Sequence, residues 1–160
     1  KYFQRISEHS SKMMENMADM VWSINPDNDS FQKTVAKMKE FSSEILEPKN
    51  IGYQFEVEES LHNILLHSVK RKNLYLIFKE AVNNAAKYSG GNFIHINFQR
   101  KENELFLSVR DNGKGFDPVK KSMGNGLGNM KERASSMNGR VNIISSPGEG
   151  VAVEVRVALT

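Results

Sequence analysis

The hexapeptide DNGKGF at residues 111–116, together with the pentapeptide GNGLG at residues 124–128, carries the strongest structural signal in this chain. An alternating apolar run over residues 105–109 leads into Asp111, so this aspartate lies where a predicted strand gives way to a loop. The glycines of the hexapeptide permit backbone angles that a side chain would forbid, and they let the chain approach a flat ligand closely. The second segment runs into a predicted helix, whose first amides and positive dipole end favour phosphate. A carboxylate for a base and a glycine-rich helix start for phosphates together indicate a nucleotide pocket.

A third segment, the predicted helix from Arg71 to Tyr88, adds polar groups that such a pocket needs. At about 100° per residue its apolar residues form one broad arc. The arc contains Leu74, Ile77, Phe78, Ala81, Val82 and Ala85. Glu80, Asn84 and Lys87 share a narrow stripe at the edge of that arc, where the mouth of a pocket would lie. Taken alone, the stripe is better explained as a solvated helix edge, just as Asp-Gly and Asn-Gly pairs alone mark ordinary turns.

The N-terminal segment predicts a long helix with a heptad-type apolar stripe. The stripe contains Phe3, Ile6, Ser10, Met13, Met17, Met20 and Ile24. Asn25 and Pro26 end this helix, because a proline disfavours helical geometry in the residue before it. We interpret the stripe as half of a coiled or bundled dimer contact, and the alternative is a helix that packs on its own domain. A second amphipathic helix is predicted from about Asp29 to Glu47.

The remaining elements predict an α+β fold. Apolar alternation indicates five short strands, at residues 53–57, 93–98, 105–109, 141–143 and 151–157. A hairpin loop at residues 101–104 joins the second and third strands, and a final helix runs from about residue 126 to residue 137. The expected architecture is a two-layer sandwich with a mixed, mainly antiparallel sheet and its helices on one face, preceded by an N-terminal helical segment.

Composition restricts the class of protein. The chain has 160 residues, a formal net charge of +3 and no cysteine, which suits one domain with an appendage and excludes a disulfide scaffold or a cysteine-ligated zinc site. No stretch approaches the ~20 apolar residues that a membrane-spanning helix needs. The positive charge is spread without a long basic run, so nucleic acid is not an expected partner.

Taken together, the motifs resemble those of the GHKL ATPase superfamily. The segment KEAVNNAAKY at residues 79–88 is similar to its N box, DNGKG at 111–115 to its G1 box, GNGLGNM at 124–130 to its G2 box, and SPGEGV at 146–151 to its closing glycine turn. Within the superfamily the match is closest to the sensor histidine kinases of two-component systems. The reason is that MVWSINP at residues 20–26 resembles the end of their second dimerisation helix.

The resemblance implies the two-layer Bergerat fold and a division of the chain into three parts. Residues 1–26 would be a remnant of a dimerisation helix, residues 27–50 a connecting helix and turn, and residues 51–160 the ATP-binding catalytic domain. The resemblance also implies a cytoplasmic domain. The sequence leaves open whether the full-length sensor is anchored in a membrane.

The family pattern also implies roles for individual residues. Asp111 would accept a hydrogen bond from the adenine amino group, Asn84 would bind Mg²⁺ through its amide oxygen, and Glu80 would orient or polarise the attacking group. Magnesium prefers oxygen ligands and shares them with substrate phosphates, so one neutral protein ligand suffices. Lys87 would reach a phosphate, with a solvent-facing lysine as the alternative. The residues implied to bind ATP are Asn84, Lys87, Tyr88, Asp111, Gly113, Gly115, Gly124, Gly126, Leu127 and Gly128.

The chain departs from the family pattern in two ways. The segment between the G1 and G2 boxes is short and has no clear F-box motif, so we expect a small ATP lid and a packing role for Phe116. The family's acceptor histidine is followed by an acidic residue, and none of the four histidines here is; they are His9, His62, His67 and His95. The implied reaction is therefore transfer of the ATP γ-phosphoryl group to a histidine upstream, followed by relay to the receiver domain of a response regulator. The implied full-length assembly is a homodimer.

Two alternatives remain open from the sequence. A GHKL serine kinase of the anti-sigma-factor type, or an ATPase clamp, would share these motifs, although the heptad helix that ends at Pro26 argues against both. A non-catalytic nucleotide sensor is disfavoured because Glu80, Asn84 and Asp111 are all present.

Overall fold

The structure is a computed structural model that describes residues 1–120 and 124–159, and within them it contains four α-helices and five β-strands. The helices are α1 (Tyr2–Ile24), α2 (Phe31–Leu46), α3 (Ser68–Tyr88) and α4 (Asn125–Ser136). The strands are β1 (Gly52–Val57), β2 (Phe93–Lys101), β3 (Glu104–Asp111), β4 (Gly139–Ser145) and β5 (Val151–Ala158). Residues 121–123, which belong to the predicted small ATP lid between the G1 and G2 boxes, lie outside the described residues.

The strands form one mixed sheet in the order β1-β2-β3-β5-β4. β1 and β2 are parallel, and the other three pairs are antiparallel, as the α+β prediction required. The loop between β2 and β3 is shorter than predicted, because Lys101 pairs with Glu104 and only two residues turn the chain. The first of them, Glu102, adopts a left-handed conformation with a φ of 57°, which makes this tight turn possible.

One face of the sheet carries the hydrophobic core. Ile96 and Phe98 on β2 are fully buried, and their neighbours in sequence are only partly buried, which is the alternation expected of a strand with one covered face. α3 and α4 cover this face with buried apolar side chains, among them Ile77, Phe78, Val82, Met130 and Ala134. The helices therefore lie on one side of the sheet, and the two-layer prediction is confirmed.

α2 belongs to the same core. Phe31 and Met38 are fully buried, and the ring of Phe31 packs edge-on against Phe98 of β2 with a centroid distance of 5.3 Å. The division of the chain at residue 50 stays a prediction, but residues 31–46 share their packing with the sheet that follows them.

α1 presents its apolar stripe to solvent. Nine of its large apolar residues are between 54% and 90% exposed; they are Tyr2, Phe3, Ile6, Met13, Met14, Met17, Met20, Val21 and Ile24. The exception is Trp22, which is partly buried and packs its ring against Tyr75 of α3. Only Asp19 and Ser23 of this helix are buried. The Asp19 carboxylate pairs with Lys37 of α2 and Lys79 of α3, and the Ser23 carbonyl accepts a hydrogen bond from Arg71 of α3. The stripe therefore does not pack on its own domain, and its role in a dimer stays a prediction. No helix among the described residues is both long and apolar enough to cross a membrane.

A buried arginine ties the end of α1 to the rest of the fold. Arg71 on α3 is 0% exposed, and its guanidinium donates to the backbone carbonyls of Ser23, Asn25 and Leu66 and to the carboxylate of Asp29. Hydrogen bonds from Arg71 and His67 lower the pKa of the Asp29 carboxyl group. The sequence identified Arg71 only as the start of a helix. The spacing of the residues gave no indication of these hydrogen bonds.

Candidate nucleotide-binding site

A cavity of about 430 Å³ lies between α3, α4 and the strands β3, β4 and β5. Polar groups line part of its wall, and an apolar wall is formed by Ala81, Ala85, Val109, Met130, Ile143, Val151 and Val153. An apolar wall with a few converging polar groups is the usual form of a small-ligand site. The predicted site residues that line the cavity are Glu80, Asn84, Tyr88, Asp111, Gly115, Gly124, Gly126 and Leu127.

Asp111 is the buried carboxylate of the cavity. It is the last residue of β3 and only 6% of its surface is exposed. Its Oδ1 atom accepts hydrogen bonds from the backbone N–H groups of Gly113, at 2.8 Å, and Val151, at 3.3 Å. No other described residue donates to the carboxylate, so Oδ2 keeps its capacity to accept a hydrogen bond from a ligand.

The turn after Asp111 needs glycine for a reason that the sequence did not reveal. Gly115 has a φ of 59°, and a Cβ atom there would overlap with the backbone oxygen of Ser146. The glycine therefore lets two loops of the protein approach each other, although it also lines the cavity. Gly113 does not line the cavity, and a Cβ atom at this position would overlap with the backbone oxygen of Ser89.

α3 supplies the polar edge of the cavity. Glu80, Asn84 and Tyr88 line it at intervals of four residues, which keeps them on one side of the helix. Lys87 is exposed and does not line the cavity, so the predicted stripe continues through Tyr88 instead. The phosphate contact of Lys87 stays a prediction.

The first turn of α4 lies against Glu80. Gly126 is in contact with this side chain, because a Cβ atom at that position would overlap with Oε1 of the carboxylate. Gly124 and Leu127 also line the cavity, whereas Gly128 lines a separate shallow groove along α4. The amide groups of an N-terminal helical turn thus adjoin the acidic residue of α3, and such amides are suited to phosphate.

The donor set at the α3 edge fits a magnesium ion that is shared with a ligand. Glu80 and Asn84 offer a carboxylate and an amide oxygen one helical turn apart. Among the described residues no cluster of three or more His, Cys, Asp or Glu side chains could hold a metal by itself. Mg²⁺ commonly takes one or two protein oxygens and completes its shell with phosphate and water, so a small donor set is sufficient.

The cavity also contains residues that sequence reasoning missed. Phe116, expected to be a packing residue, lines the cavity, and its backbone N–H donates to Oγ of Ser145 at 2.9 Å. The same hydroxyl donates to the backbone oxygen of Gly150, also at 2.9 Å, so Ser145 joins the G1 turn to the closing glycine turn. Lys114 and Asn125 line the cavity as well. The available signal for both was their position within the two glycine-rich segments.

The sequence matches a family model, and the curated proteins that it resembles include two histidine kinases. The model described as "Histidine kinase-, DNA gyrase B-, and HSP90-like ATPase" matches residues 69–160. The chain is 33% identical over 124 residues to the sensor histidine kinase LiaS of Bacillus subtilis, covering 76% of this chain and 34% of LiaS. It is 30% identical over 88 residues to the histidine-protein kinase/phosphatase DegS of Brevibacillus brevis, covering 54% of this chain and 23% of DegS. The chain therefore spans about a third or less of these relatives.

Solved structures share the fold at low sequence identity. The histidine kinase AdeS of Acinetobacter baumannii superposes with a TM-score of 0.71 at 13% identity, over 99% of this chain and 84% of that one. Full-length ShkA, solved in complex with AMPPNP, also gives a TM-score of 0.71, at 17% identity over 98% of this chain and 38% of that one. The fold, the motifs and the matched segment agree: this chain belongs to the family of histidine kinase-, DNA gyrase B- and HSP90-like ATPases.

Proposed function

We propose that this chain is the catalytic part of a sensor histidine kinase that transfers the γ-phosphoryl group of Mg-ATP to a histidine outside residues 1–160. The observation that carries the proposal is the convergence of Asp111, the Glu80–Asn84 edge and the first residues of α4 on one cavity. Both named sequence relatives are histidine kinases, which favours this reaction over a serine kinase or an ATPase clamp.

Asp111 would select the base. A carboxylate whose Oδ1 is already held by two backbone N–H groups presents its second oxygen in a restricted direction. The adenine amino group is a donor and would satisfy that oxygen. The apolar wall formed by residues such as Ile143 and Val153 would cover the faces of the ring.

The α3 edge and α4 would hold the phosphates. Asn84 would ligate Mg²⁺ through its amide oxygen, and bound Mg²⁺ would supply charge neutralisation at the phosphate oxygens. The amides of residues 124–127 would donate to the phosphates from the first turn of α4. Glu80 would orient the incoming imidazole or accept its proton, because it is the carboxylate of this edge. The chain's contribution to the reaction is thus positioning and electrostatics.

The acceptor histidine would come from another part of the protein. None of the four histidines lines the cavity: His9 and His62 are exposed, His67 pairs with Asp29, and His95 pairs with Glu56. The exposed stripe of α1 is consistent with a helical bundle in a full-length homodimer, where the acceptor would lie. The phosphoryl group would then pass to the receiver domain of a response regulator.

Two measurements on residues 1–160 test the proposal. Calorimetry should show binding of Mg-ATP, and incubation with γ-labelled ATP should leave the chain itself unlabelled. Absence of nucleotide binding would contradict the ATP-binding role of the cavity. Acid-labile phosphate on His9 would contradict the argument that the acceptor lies elsewhere. Addition of a segment that carries the acceptor histidine should then restore labelling.

A further inference from the structure

We infer that Asn112, whose side chain does not line the cavity, is a positioning residue that sets adenine selectivity by holding Asp111 in place. The inference rests on the proposed function, because it concerns the base that Asp111 would recognise. Asn112 lies between Asp111 and Gly113, the residue whose N–H group holds Oδ1 of Asp111 at 2.8 Å. Any movement of Asn112 therefore moves the carboxylate and its donor together.

The side chain of Asn112 is fixed on the loop that precedes β2. Its Oδ1 atom accepts from the backbone N–H groups of Asn92 and Phe93, both at 3.0 Å, and its Nδ2 donates to Oδ1 of Asn92 at 2.7 Å. Its own backbone N–H donates to the carbonyl of Phe93 at 3.2 Å. These four hydrogen bonds on one exposed residue hold the turn in addition to the two that Asp111 accepts from Gly113 and Val151.

Two glycines allow this loop and the G1 turn to interlock. A Cβ atom on Gly91 would lie 2.8 Å from the backbone nitrogen of Gly113 and would press on the side chain of Asn112. Gly113 in turn contacts the carbonyl of Ser89, which also accepts from the N–H group of Lys114 at 2.8 Å. Ser89 directly follows α3, the helix that carries Glu80 and Asn84. These contacts therefore connect the G1 turn, at the proposed base end of the cavity, to the end of α3, which carries the proposed phosphate end.

A residue that positions Asp111 should affect the selectivity for the nucleotide base and not only the stability of the fold. A recognition group must be held within about 0.5 Å of its productive position to discriminate between ligands. If Asn112 is removed, Asp111 keeps its charge but loses one of its restraints, so its preference for an amino group over an oxygen at the same position of the base should weaken.

The experiment compares the affinities of ADP and IDP, measured by calorimetry in the presence of magnesium, for four forms of the chain. IDP carries an oxygen in place of the adenine amino group. Asn112→Ala removes the acceptor for both backbone N–H groups, and the ADP-over-IDP affinity ratio should fall by about three- to tenfold, the value of one net hydrogen bond. Asn112→Asp keeps the acceptor oxygen, and the exposed Asn92 amide can turn to donate to the second oxygen. Its ratio should stay near that of the unchanged chain.

The control is Asn142→Ala, which removes the same side chain from an exposed position on β4. The added charge of Asn112→Asp affects both diphosphates alike, so the ratio cancels it. If Asn112→Ala does not fold, Gly91→Ala replaces it, because it displaces Asn112 without removing a hydrogen-bonding group; its ratio should also fall.

The outcomes separate the inference from the proposed function. An unchanged chain that binds neither diphosphate, or binds both equally, contradicts the role of Asp111 and the inference with it. An unchanged chain that prefers ADP, together with an Asn112→Ala ratio that does not change, overturns the inference alone. Equal loss of ADP and IDP affinity also overturns it, since that result indicates a structural role only. If the ADP-over-IDP affinity ratio falls as far in Asn112→Asp as in Asn112→Ala, loss of the acceptor oxygen of Asn112 is not the cause of the lower selectivity, and the inference is wrong.

Discussion

Replacement of Asp111 by asparagine separates recognition of the base from folding of the site. The carbonyl oxygen of an asparagine can accept the same two hydrogen bonds, from the N–H groups of Gly113 and Val151, that Oδ1 accepts in the aspartate. The amide nitrogen then occupies the position of Oδ2. Because both backbone donors remain satisfied and the shape of the side chain is unchanged, the melting temperature should change little.

The expected loss of ADP affinity follows from the groups that would meet. A hydrogen bond to a charged group contributes about 1.5–3 kcal/mol, and leaving a buried donor without an acceptor costs about 1–3 kcal/mol. In Asp111→Asn the amide nitrogen and the adenine amino group are both donors, so both terms apply. Their sum, about 2.5–6 kcal/mol, weakens ADP binding by at least about 10²-fold.

The same substitution should favour a different base. IDP presents an oxygen acceptor where ADP presents an amino group, so the asparagine amide can donate to it, and the ADP-over-IDP preference should invert. Calorimetry with both diphosphates measures this change. Asp27→Asn is the control, because it removes the same charge from an exposed turn outside the cavity. A folded Asp111→Asn chain that binds ADP within about threefold of the unchanged protein would refute recognition of the amino group by Asp111.

Three further substitutions test separate parts of the structure. Asn84→Ala removes the only amide oxygen of the α3 edge, so nucleotide affinity should become nearly the same with magnesium and with a chelator; calorimetry measures this, and a persistent magnesium effect would contradict the metal role of Asn84. Glu80→Gln in the full-length protein should leave ADP affinity within about threefold and reduce autophosphorylation by about 10²-fold or more, because it removes the carboxylate but keeps its shape. Arg71→Ala leaves the buried carbonyls of Ser23 and Leu66 without their donor and should lower the free energy of unfolding by about 3–5 kcal/mol in urea titrations. Arg110→Ala, at an exposed position on β3, is its control, and a loss below about 1 kcal/mol would contradict the structural role of Arg71.

The sequence predicted those features that depend on local periodicity. The alternation along β2 and β3 and the apolar arc of α3 each follow from a single period, so the strands, the helix and the buried face could all be derived. Asp111 could be located because it ends an alternating strand before a glycine turn. The family motifs then led to one cavity, since each of them lies at the end of an element that meets the others there.

Features that depend on contacts between distant segments could not be derived. The position of Lys87 is an example. The stripe that begins with Glu80 and Asn84 can continue on the last turn of α3 either three residues later, at Lys87, or four residues later, at Tyr88. The cavity selects Tyr88. The steric reason for Gly113 is another example, since the backbone oxygen of Ser89 that a Cβ atom would meet belongs to a different loop.

Lys79 and Glu80 show why a charge pattern alone does not identify a site. Consecutive helix residues point about 100° apart, so these two opposite charges do not face each other. Lys79 faces α1, where its Nζ lies 2.7 Å from Asp19 and 3.0 Å from Glu15. Burial lowers the pKa of Lys79, but the hydrogen bonds to these two carboxylates and their negative charges together outweigh burial and raise it. Glu80 faces the cavity instead. The angle between the two side chains follows from the sequence, whereas the contact of Lys79 with Asp19 follows only from where α1 crosses α3. Lys79 therefore contributes to the contact between two helices, and Glu80 lines the cavity.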